Sequence, residues 1–66
     1  MNTQTIRALK QQLKRINLTC DNTHRVRDTR DDLSSDDYLD LTGVLGDLDR
    51  AATKIEVMLT RDKYTD

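Results

Sequence analysis

The chain has 66 residues, with eleven Lys or Arg, twelve Asp or Glu, a formal net charge of −1, no Trp, Phe or Pro, and one cysteine. That inventory excludes an internal disulfide framework, and a metal site is hard to build from one Cys and one His (Cys20 and His24). Few large groups are left for burial, so stability at this size has to come partly from association with another protein or another copy.

The charge is unevenly spread. Residues 1–18 carry Arg7, Lys10, Lys14 and Arg15 and no acid, whereas residues 19–37 carry three Arg and six Asp. A basic first arm followed by acidic ones suits two antiparallel helices that attract each other. The opening MNTQTIRALKQQLKRI lacks the apolar run and cleavage site of a signal peptide. With no span apolar enough for a membrane, a cytoplasmic location is the expectation.

Ile6, Leu9, Leu13 and Ile16 step by three, four and three, and Cys20 continues the stripe by four. The patch TCDNTH at 19–24 holds poor helix formers, and the apolar register resumes shifted, at Val26 and Leu33 with Arg30 between. The pattern predicts one helix from about 3 to 32, weakened or kinked near 20–24, with two shorter helices as the alternative. A turn at about 33–35 follows. There Ser34 or Ser35 caps the next helix, and Asp36 and Asp37 lie in its first turn, where the helix dipole favours them. The acids of RDDLSSDD lack the alternating ligands and central glycine of a calcium loop, so they read as turn and cap.

The second helix, from about 35 to 62, has the stronger pattern. Leu41, Leu45, Leu48, Ala52, Ile55 and Leu59 step 4, 3, 4, 3, 4, and Tyr38 extends this seam toward the turn. Two helices of nearly equal length and a capped turn make an all-α antiparallel hairpin spanning 1–66 as one coiled-coil-like domain. Val44, Ala51 and Met58 flank the seam at seven-residue spacing, where the first arm offers Arg27 and Arg30. Gly43 and Gly46, the only glycines, fall on the opposite side near Leu39, Thr53 and Val57. A helix-interior glycine costs about 1 kcal/mol relative to alanine; either exposed glycines are tolerated here and merely loosen this turn, or a partner's helix approaches closely where a side chain would stand in the way. Leu39, Gly43, Val44, Gly46, Ala51, Val57 and Met58 are therefore the expected partner-binding groups.

Catalysis finds no foothold in this sequence. Cys20 and His24 share a helix face at four-residue spacing, but a two-helix hairpin offers no pocket to exclude water. Cys20 reads as a small seam residue and His24 as a surface residue, with no enzyme activity, cofactor or metal expected.

The register resembles that of one family. VRDTRDDL (Val26 to Leu33) is similar to the end of the first helix in the E component of type III secretion needle chaperones. Tyr38 stands where members open the second helix with a tyrosine. Leu45, Leu48-Asp49, Ala51, Ile55 and Val57-Met58 follow a similar leucine–acidic–alanine–isoleucine pattern. The resemblance implies a small cytoplasmic co-chaperone that binds a repeat-type helical chaperone, the pair keeping the needle subunit soluble before export. Recognition would be helix-face docking through apolar anchors. Two other readings draw on the same residues. One is a homodimeric hairpin whose basic first helices bind RNA, which the low net charge disfavours. The other is a small phage or plasmid inhibitor of a host protein. Self-association into dimers or larger bundles is expected when the partner is absent.

Overall fold

The computed structural model describes residues 1–65, with side chains placed as far as Arg61. Helix α1 runs Thr3–Thr29 and helix α2 runs Ser35–Thr65, packed antiparallel as a hairpin. At 1.5 Å per residue such helices are about 40 and 46 Å long, matching a molecule of 50 × 15 × 11 Å. Nothing in it is wider than two helices side by side.

Each helix begins on a capping interaction. The Asn2 side chain accepts a 2.8 Å hydrogen bond from the Thr5 amide, satisfying one of the free donors at the start of α1. At α2 the cap is reciprocal. The Asp37 amide donates to Ser34 Oγ at 3.1 Å, and the Ser34 amide donates to Asp37 Oδ2 at 3.1 Å. Of the two serines expected to cap α2, Ser34 performs the task, and Asp36 and Asp37 occupy the first turn as expected.

Helix α1 ends three residues before the expected position. Arg30 is extended (φ −84°, ψ 129°), its amide donating to the Val26 carbonyl at 3.1 Å. Asp31 and Asp32 would bring negative charge to the negative end of the dipole if the helix went on. The cap at Ser34 requires a non-helical entry as well. The turn is therefore longer than 33–35 and covers 30–34.

The alternative of two shorter helices is not realised, because α1 is continuous through 20–24. Thr23 Oγ1 donates to the Thr19 carbonyl at 2.8 Å, so its hydroxyl is satisfied inside the helix. The seam does not shift to Val26 either. It keeps its three–four rhythm through Ile6, Leu9, Leu13, Ile16, Cys20, Thr23 and Arg27, all half-buried, while Val26 is 41% exposed. Two polar residues thus hold seam positions that the sequence reading left empty.

Helix α2 supplies the other side of the seam. Leu45 and Ala52 are the buried hydrophobic residues of the core, and Leu41, Leu48, Ile55 and Leu59 are half-buried around them. Tyr38, expected in the seam, is 46% exposed. The Arg27 stem takes the seam position instead, and its guanidinium lies over the Tyr38 ring at 5.1 Å.

Candidate protein-binding surface

Leu41 separates the two broad faces of the hairpin. On one side Arg27 Nη1 donates to Thr42 Oγ1 at 3.4 Å. On the other, Thr19, Asn22, Thr23 and Val26 line a shallow groove against Leu41. At 3.6 residues per turn, Val44, Ala51 and Met58 follow on the Val26 side, and Asp49 and Glu56 follow on the Arg27 side. One broad face is therefore apolar along α2 and the other is charged.

The charged face is organised near the turn by Arg27, whose side chain keeps only 18% of its exposure. Besides Thr42 and Tyr38, it contacts Asp28 Oδ1 through Nε at 3.1 Å and lies 3.4 Å from His24 Nδ1. Thr42 Oγ1 in turn donates to the Tyr38 carbonyl at 2.9 Å. These contacts tie the end of α1 to the start of α2. The sequence pattern placed Arg27 against α2 but did not reveal this cluster, since its members are unremarkable singly and join only across the turn.

The seven expected partner-binding residues do not form one surface. Val44 (45% exposed), Met58 (37%) and the half-buried Ala51 belong to the apolar broad face. Leu39 (65%) and Val57 (53%) lie on the far side of α2 with Gly43 and Gly46. Leu39, Gly43, Gly46, Thr53 and Val57 form an outer stripe there, stepping 4, 3, 7, 4. Gly43 is open, and a Cβ built on it meets nothing within 4 Å. At Gly46 a Cβ would meet Arg50 Nη2 at 3.6 Å, an ordinary contact with a side chain that Asp47 holds at 2.8 Å. Neither glycine is required by anything within the hairpin.

Cys20 is half-buried in the seam, and the exposed His24 is engaged by Arg27. Among the described residues no cluster of three His, Cys, Asp or Glu side chains is assembled, and no helix is long and apolar enough to cross a membrane. The basic residues Arg7, Lys10, Lys14 and Arg15 of α1 are exposed. No protein-family model, curated protein or solved structure matches this chain.

Proposed function

We propose that this chain is a non-enzymatic interaction protein, a hairpin that stabilises a helical partner by presenting helix faces to it. The observation that supports this is the exposure of large apolar groups along α2 beside a core whose buried hydrophobic residues, among those described, are Leu45 and Ala52. Surface of this kind is characteristic of a protein that docks onto another. The outer stripe suits a helical partner, because Gly43 and Gly46 let a second backbone come close between the apolar ends Leu39 and Val57.

The specific form we propose is the type III secretion co-chaperone that the register resembles, cytoplasmic and paired with a repeat-type helical chaperone and the needle subunit. Co-expression with the neighbouring chaperone and needle gene products tests it. A stoichiometric complex that survives gel filtration is the expected result, and failure to co-purify with any secretion component removes this form. A host-protein inhibitor would use the same stripe, and gene neighbourhood separates the two readings.

A further inference from the structure

The hairpin exposes more surface than a chain of its size normally does. Its accessible area is 5375 Å², whereas monomeric proteins of 7.6 kDa expose about 4,300 Å². The excess, about 1,100 Å², is comparable with the roughly 800 Å² that each partner contributes to a standard interface. The elongated shape shows where it arises, since two helices side by side leave both broad faces uncovered. Only one of these faces is apolar along α2, the one bearing Val44, Ala51 and Met58.

That face is self-complementary. Val44 and Met58 each lie seven residues from Ala51, on opposite sides of it. If two copies of α2 run antiparallel with Ala51 at the two-fold axis, Ala51 meets Ala51 and Val44 meets Met58, twice over. Ala51 is small enough to let the helices approach closely at the axis. The outer rim agrees to within one residue, because Asp47 then comes next to Lys54 of the second copy, and Lys54 next to its Asp47. An isologous interface demands this reciprocity of apolar and charged positions. Across the groove from α2, α1 contributes Val26 and the uncharged Thr19 to the same face. Arg15 stands at its outer edge, exposed to solvent.

We propose that a second copy of the chain covers this face, giving an antiparallel four-helix bundle with its two-fold axis at Ala51. The dimer does not depend on the secretion reading, and it leaves the outer stripe of Leu39, Gly43, Gly46 and Val57 free for a different protein. Light scattering or sedimentation of the wild-type chain gives a mass twice the 7.6 kDa of one chain. In a Cys20→Ala background, Ala51→Cys forms a covalent dimer on mild oxidation, because the axis brings the two thiols within disulfide reach. Val44→Cys alone stays uncrosslinked, while an equimolar mixture of Val44→Cys and Met58→Cys chains gives a crosslinked heterodimer. A monomeric mass throughout the micromolar range overturns the proposal. So does a dimer in which Val44→Cys crosslinks to itself and Ala51→Cys does not, since that places the axis elsewhere.

Discussion

Leu45 and Ala52 are 6% and 7% exposed, one heptad (two helical turns) apart near the centre of α2. A hairpin with so short a core concentrates its stability there. Leu45→Ala removes most of a buried side chain and is expected to cost about 2–3 kcal/mol, near the lower end for such changes because half-exposed neighbours can collapse inward. Against a total of a few kcal/mol for a chain this size, that unfolds a substantial share of the molecules at room temperature. Leu18→Ala is the matched control. Leu18 is 60% exposed on the outer side of α1, and its loss should stay within about 0.5 kcal/mol. Urea denaturation of both variants, followed by circular dichroism, checks the contrast. The glycines run the other way. Gly43→Ala and Gly46→Ala meet open space and an ordinary contact respectively, so each should raise stability by about 1 kcal/mol and the melting temperature by about 4–8 °C. If the outer stripe is where a helical partner docks, the double variant melts higher yet binds that partner more weakly. Unchanged binding would show that the partner approaches elsewhere.

Within each element, the hydrophobic spacing carried most of the information. Steps of three and four from Leu41 to Leu59 and from Ile6 to Cys20 name the seam residues correctly, apart from Tyr38. The apolar periodicity ends at Cys20, and the structure continues the stripe with Thr23 and Arg27. Poor helix propensity at 19–24 is overridden because both flanking segments are already held against α2. The end of α1 differs from the sequence expectation for a similar reason: the spacing of Val26 and Leu33 favours a longer helix, whereas the Ser34–Asp37 box fixes the turn. Losing that box in Ser34→Ala should cost about 1 kcal/mol, read as a lower melting temperature with helical content unchanged. The two polar seam residues also make a sharper test. Thr23→Leu with Arg27→Leu turns the α1 seam fully apolar. Such a replacement commonly raises stability while weakening the specification of register and oligomeric state. We expect a higher melting temperature with a broader distribution of masses in sedimentation. A single sharp species at higher stability would mean that the Arg27 cluster does not specify the pairing.

For the whole molecule, the hairpin was legible in the sequence and its surroundings were not. The pattern gave a correct count of helices and the faces they turn to each other, because burial imposes periodicity. It separates the seam-flanking Val44, Ala51 and Met58 from the outer Leu39, Gly43, Gly46 and Val57 by their angle around α2, but apolar spacing alone does not say what covers either surface. Once the faces are separated, the thin core and the surface excess have one explanation in the proposed dimer, whose folded unit is two chains. That has a thermodynamic signature independent of crosslinking. When folding is coupled to dimerisation, diluting the protein 100-fold removes about 2.7 kcal/mol of apparent stability by mass action. Divided by an unfolding entropy of about 2.1 cal/mol/K per residue over both chains, the melting temperature should fall by about 10 °C. Met58→Lys places a charge in the face opposite Val44 of the second copy, and it should abolish this dependence while lowering the melting temperature at high concentration toward the dilute value. A melting temperature independent of concentration in the wild-type chain would mean that the 45% and 37% exposures of Val44 and Met58 describe its free surface in solution. The hairpin would then have to fold on its seam alone.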